Sequence, residues 1–213
     1  GSWILLLVYP VLAAAVLLEP PAGLVRLFPS IGPLSRRLAD ALRTRGALGF
    51  VSMVTGIGLG IYTGILLSAL GARPLWSSGL LGPLFLASGL SSSAAFAHWA
   101  SPVPEERRQM AWLDNLFLAI ELALIGMLLI GLASSSEAHA EAARLVLGGP
   151  FTAVFWIGVV GLGIVLPLVI QSLAVTHRII HTPIAPILVM LGGLALRFVI
   201  VYAGQYSHWP RLS

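Results

Sequence analysis

Apolar residues run along this chain in six long blocks: Ser2–Leu18, Ala47–Gly71, Gly79–Ala100, Met110–Ala133, Phe151–Val175 and Ile184–Gly204. Each supplies about 20 residues, the length a helix needs to cross ~30 Å of hydrocarbon. The pattern predicts an all-α, polytopic transmembrane helix bundle of six spans, a single integral membrane domain over residues 1–213. The first block is the shortest, and a kink is expected at Tyr9-Pro10. The connection over residues 20–46 is long, proline-rich early and basic late. Within Leu34–Leu48, Leu34, Leu38, Ala41 and Leu42 recur at helical spacing opposite Arg36, Arg37, Asp40, Arg43 and Arg45. That arrangement predicts a basic helix lying in the membrane interface.

Composition sharpens the assignment. Charged residues make up 9% of the chain and apolar residues 58%, and mean hydropathy is +0.96. A water-soluble domain carries about 25% charge, so lipid is the solvent in which this fold is to be read. All 12 basic residues are arginines. They sit mostly in loops at a membrane surface and give no argument for nucleic acid. Without cysteine, the chain has no disulfide, no thiolate zinc site and no cysteine-ligated iron–sulfur cluster of its own. No basic leader or cleavage site precedes Trp3, and the beginning reads as the inside of a longer protein.

Arginine placement sets the orientation. The first, third and fifth connections hold eight arginines against three in the second, the fourth and the C-terminal tail. The positive-inside rule puts the first set in the cytoplasm, so Tyr62 and Arg73 fall near the outer face. Gly56, Gly58, Gly60 and Gly64 lie inside a membrane block rather than between a strand and a helix. They read as a close-packing face, not a phosphate loop. Gly158, Gly161 and Gly163 read alike.

Candidate chemistry is sparse. The histidines His98, His139, His177, His181 and His208 all lie at helix ends or in loops, so no bis-histidine haem is expected. Asp114, Glu121 and Arg197 are charges within apolar blocks, where each costs at least ~2.5–3.5 kcal/mol at a helix centre. Asp114 and Glu121 are seven residues apart, on one helix face and about 10 Å apart along the axis. They form either a short proton relay, which His98 would extend at the cytoplasmic edge, or two carboxyls hydrogen-bonded to neighbouring helices. Arg197 either snorkels, pairs with a carboxylate such as Glu121, or faces the outer pocket. Tyr62 can hydrogen-bond a quinone carbonyl and return a proton to it; it equally suits an interfacial aromatic belt, as do Trp76 and Trp209.

Four stretches together resemble the NrfD-like membrane subunits, a family that includes the polysulfide reductase membrane anchor. They are Gly1-Ser2-Trp3; Tyr62-Thr63-Gly64 followed by Arg73-Pro74-Leu75-Trp76; Pro83-Leu84-Phe85 with Ser88-Gly89-Leu90; and Leu196-Arg197 through Ala203-Gly204-Gln205. Ser77 departs from the family pattern, in which Asn often follows the tryptophan. Family members have eight or more spans, so two would precede residue 1.

The resemblance implies a respiratory membrane subunit that binds menaquinone or ubiquinone near the periplasmic face through Tyr62, Arg73, Trp76 and Arg197. It implies no haem or metal in this chain, and no catalytic residue for the terminal substrate. It also implies an iron–sulfur (ferredoxin-like) partner, a molybdopterin or other catalytic subunit beyond it, and a multi-pass location in a bacterial or archaeal cytoplasmic membrane. Asp114, Glu121 and His98 would serve as a proton relay. A proton- or ion-coupled transporter and a purely structural membrane anchor are the rival readings.

Overall fold

A computed structural model of the chain describes residues 2–18, 33, 45–69, 71, 73–176 and 183–209. Most of the predicted interfacial helix, together with His177 and His181, lies outside these residues. The described residues are mainly helical and contain no strand. The helices are α1 (Ser2–Leu18), α2 (Arg45–Ala69), α3 (Leu81–Ala100), α4 (Pro104–Ala133), α5 (Glu137–Leu147), α6 (Val154–Val175) and α7 (Ile184–Tyr206), with one 3-10 turn at Pro74–Trp76.

Of the six predicted spans, four are helices long and apolar enough to cross a membrane: Gly49–Ala69 within α2, α4, α6 and α7. The other two blocks are helical but differ from the expectation for identifiable reasons. The described residues of α1 number 17, with Pro10 inside the helix. The α3 helix is long enough at 20 residues, but Ser88, Ser91, Ser92, Ser93 and His98 dilute its apolar character.

The chain divides into two compact units, Gly1–Tyr62 and Thr63–Ser213. The first holds α1 and most of α2, whose Phe50, Val51, Met53 and Val54 are exposed. In the second, α3, α4, α6 and α7 form a four-helix bundle in which each helix packs against two of the others, in the cyclic order α3, α4, α6, α7. Leu84, Leu118, Ile125, Val159, Ile164 and Leu196 fill its centre. The amphipathic α5 lies across one end, burying Ala138, Ala142, Ala143 and Val146 against α4, α7 and the 3-10 turn.

Part of α6, Val154–Val165, is wound as a π-helix before α-helix resumes at Leu166. Gly163 there meets Gly192 of α7 so closely that a Cβ on Gly163 would lie 2.5 Å from the Gly192 Cα. Two backbones touch at this crossing, the use small residues have between membrane helices.

A polar seam runs through the bundle's apolar core, and the outer surface of its helices is apolar as well. Trp112, Leu116, Ile120 and Ile130 of α4, Ile157 and Val169 of α6, and Leu191, Leu194 and Phe198 of α7 are exposed. Ser88, Ser91, Asp114, Glu121 and Gln171 are buried. In water that distribution is unfavourable on both counts; in hydrocarbon it is the favourable one.

Candidate functional site

Two polar constructions stand out in the second unit, one at the end of the bundle and one through its middle. The first begins where Arg73, in extended conformation, leads into Pro74 at the head of the 3-10 turn. Proline is tolerated there because its missing N–H would have had no partner in the turn. Pro74 and Leu75 are buried.

Everything around the turn ties it to the exit of α7. Arg73 donates from Nη1 to the Ser207 carbonyl at 2.9 Å. The Leu75 amide donates to Ser207 Oγ at 3.4 Å, and that hydroxyl donates to the Gly204 carbonyl at 2.7 Å. Trp76 donates from Nε1 to the Ile200 carbonyl at 3.0 Å. Its indole lies on Gly204, where any Cβ would overlap the ring. On the far side Ser77 Oγ donates to the Pro74 carbonyl at 2.8 Å and meets His139 Nε2 at 2.8 Å. A hydroxyl has one proton, so with that proton on Pro74 the Nε2 is the donor. His139 Nδ1 then accepts from Ser136 Oγ at 2.7 Å. Trp209 packs its ring edge-on to His139 with centroids 5.3 Å apart, and donates to the Gly71 carbonyl at 3.0 Å.

The second construction runs along facing helices. On α3, Ser88, Ser91, Ala95 and His98 share one buried face. Opposite, Asp114 is fully buried and accepts two hydrogen bonds, from Ser91 Oγ at 2.7 Å and from Gln171 Nε2 of α6 at 2.6 Å. Two turns further along α4, Glu121 is buried near Ser88 of α3 and Arg197 of α7. Arg197 does not reach outward. Its Nη1 donates to the Gly193 carbonyl at 2.8 Å and to Ser88 Oγ at 3.3 Å, its Nη2 donates to the Phe85 carbonyl at 3.4 Å, and the guanidinium lies 5.8 Å over the Phe85 ring. Ser88, Glu121 and Arg197 thus form one polar layer, and Ser91, Asp114 and Gln171 form the next.

The residues singled out in the sequence thus fall into three places. Arg73 and Trp76 are brought together in the turn. Asp114, Glu121 and Arg197 are brought together inside the bundle, and His98 is buried at the end of α3 on the face that carries Ser91. Tyr62 is half-buried at the last position of the first unit. Sequence patterning does not single out Ser91, Gln171, His139 or Ser207 for these roles. Gln171 was the detectable one, being an amide inside the apolar run Leu166–Val175, where polar side chains join membrane helices. Among the described residues, no three histidine, aspartate or glutamate side chains converge as a metal site.

Comparison with known proteins gives a consistent result. The family described as "Polysulphide reductase, NrfD" matches residues 2–207. The C component of polysulfide reductase from Wolinella succinogenes is 35% identical over 170 residues, which cover 74% of this chain and 53% of the relative. Protein NrfD of Escherichia coli is 32% identical over 191 residues, covering 85% of this chain and 60% of the relative. The C component of selenate reductase from Mesobacillus selenatarsenatis is 29% identical over 163 residues, covering 72% and 38%. The chain thus spans little more than half the length of the first of these relatives. No solved structure matches it significantly. A match from the first apolar helix to the residue that anchors the Arg73–Trp76 turn leaves one assignment: the chain belongs to the NrfD polysulphide reductase family.

Proposed function

We propose that this chain is the membrane-embedded subunit of a respiratory oxidoreductase complex, binding quinone or quinol near the periplasmic face of a bacterial or archaeal cytoplasmic membrane. It exchanges electrons with an iron–sulfur partner subunit. Chemistry on the terminal substrate belongs to a separate molybdopterin or other catalytic subunit. The observation that carries this reading is the family match across residues 2–207, a range that includes Tyr62 and the Arg73–Trp76 turn. Two of the relatives are named as single components of larger reductases, one for polysulfide and one for selenate, which supports the subunit role.

The turn at the end of the bundle suits an amphiphilic ring. Trp76 has committed its only polar hydrogen to Ile200, so it offers a ring face rather than a donor. Arg73 gives one bond to Ser207, and a guanidinium carries about five N–H donors, so it keeps capacity for a carbonyl oxygen. Tyr62 is assigned from the sequence resemblance, since a phenol can donate to a quinone oxygen and pass a proton to it. A bound quinone supplies the two-electron, two-proton redox chemistry. The protein orients it, excludes water and handles the protons.

The buried acids supply the second half of the reading. Two carboxyls about 10 Å apart on one helix face, one hydrogen-bonded to Ser91 of α3 and the other buried near Ser88, support a proton path along the α3–α4 seam. His98 lies at one end of that path and Arg197 at the other.

The test is quinol-driven turnover of the purified complex carrying Tyr62→Phe. Turnover is expected to fall about tenfold, the order of one transition-state hydrogen bond of ~1–1.5 kcal/mol. Assembly and turnover with a soluble dye donor should be retained. Unchanged quinol kinetics would falsify the role given to Tyr62.

A further inference from the structure

We propose that the face of α4 meeting the end of α6 is a selective site for a zwitterionic phospholipid of the phosphatidylethanolamine type. The two helices form a groove in two connected parts, which share Trp112 and Val175 as walls. The upper part, of about 570 Å³, is lined by Glu105, Arg108, Gln109 and Trp112. The lower part, of about 370 Å³, is lined by Asn115, Leu116, Ala119, Leu168 and Ser172.

On α4 the order Glu105, Arg108, Trp112, Leu116, Ala119 steps by three and four residues and so stays on one helix face. Downward it passes from charge, through an indole, to hydrocarbon, the order in which one lipid leaflet presents headgroup, interface and chains. Its length matches as well. From Glu105 to Ala119 the helix rises about 21 Å, and one leaflet with its headgroups is ~20–22 Å thick.

Charge selects the headgroup. Of the four charged residues that open α4, two are turned onto the preceding loop: Glu106 accepts from Ser101 Oγ at 2.7 Å, and Arg107 donates from Nε to the Ser101 carbonyl at 2.6 Å. The other two, Glu105 and Arg108, both exposed, face the groove. One guanidinium and one carboxylate a turn apart match a phosphate and an ammonium. A net-anionic headgroup would meet Glu105 as a like charge, and a quinone ring has no use for two opposite charges above it. Lower down, Ser172 accepts from Asn115 Nδ2 at 3.4 Å and keeps its own proton for an ester carbonyl. Trp112, shared by both parts of the groove, is 57% exposed.

The experiment uses the whole complex reconstituted in nanodiscs of equal phosphatidylethanolamine and phosphatidylglycerol, released into detergent and weighed by native mass spectrometry. Wild type is expected to retain phosphatidylethanolamine in preference. Arg108→Gln should lower that retention at least ~5-fold, the order of one charge-assisted bond to phosphate. Glu105→Gln should keep lipid but lose the preference, and Arg144→Gln on α5 should change nothing. Equal retention of the two lipids by wild type, an isoprenoid quinone in place of phospholipid, or unchanged retention in both groove variants would each overturn the proposal.

Discussion

Asp114 is where sequence and packing make the strongest demand on a single residue. A carboxyl in the middle of a membrane helix is tolerated only with partners, and both its oxygens are served, one by Ser91 and one by Gln171. Asp114→Leu removes the acceptor from two buried donors and is expected to destabilise the chain by about 1–3 kcal/mol, read as a lower melting temperature in detergent. Asp114→Asn keeps the shape and some of the bonding but cannot carry a proton as the acid does. It should assemble normally, and if the seam conducts protons it should slow quinol turnover while leaving turnover with a dye donor intact. Equal loss with both donors would reduce Asp114 to a structural role. The two acids were conspicuous in the sequence. Their partners were not, because a serine in an apolar run says nothing about which neighbouring helix it will face.

At the scale of helices, the glycines decide where backbones approach. Gly192→Val puts a branched side chain against the Gly163 backbone, where the helices already touch. Overpacking of this kind costs about 1–3 kcal/mol or forces the helices apart, and a lower yield of folded protein in size-exclusion chromatography is the expected result. Gly204→Val tests a different joint, since its side chain would occupy the place of the Trp76 indole. The expected signature is a changed tryptophan emission spectrum with the helix content by circular dichroism unaltered. Helical character was legible throughout because unbroken apolar runs of this length allow little else in lipid. The π-wound stretch of α6 was not legible, since its composition, mainly Val, Ile, Leu and Gly, is that of any membrane helix. The apolar length of α3 predicted a span, and its serines set it against the buried acids, Ser91 bonding Asp114.

For the molecule as a whole, the distribution of polarity is the governing fact. In the bundle many apolar side chains face outward while Ser88, Ser91, Asp114, Glu121 and Gln171 are buried in its core, so folding in this case relies on packing and internal hydrogen bonds more than on expulsion of water. The reading as a subunit carries its own test. An affinity-tagged chain solubilised in mild detergent should bring down an iron–sulfur protein, visible as a low-temperature electron paramagnetic resonance signal that this cysteine-free chain has no ligands to produce. Family character was legible at this scale because several short stretches, Tyr62-Thr63-Gly64 and Arg73–Trp76 among them, together resemble the family that matches residues 2–207. The way the turn is held was not, because Ser207, His139 and Trp209 come from distant stretches without any motif of their own.

That long-range fastening has a consequence for biosynthesis. Arg73 waits for a carbonyl 134 positions downstream, and Trp76 for one 124 positions downstream. The rim that the turn forms cannot take its final shape while the ribosome is still translating the intervening helices. A nascent polypeptide halted before α7 enters the bilayer would leave an arginine and an indole without these partners, exposed to the translocon and its chaperones, and would close the turn only after α7 had been threaded into place.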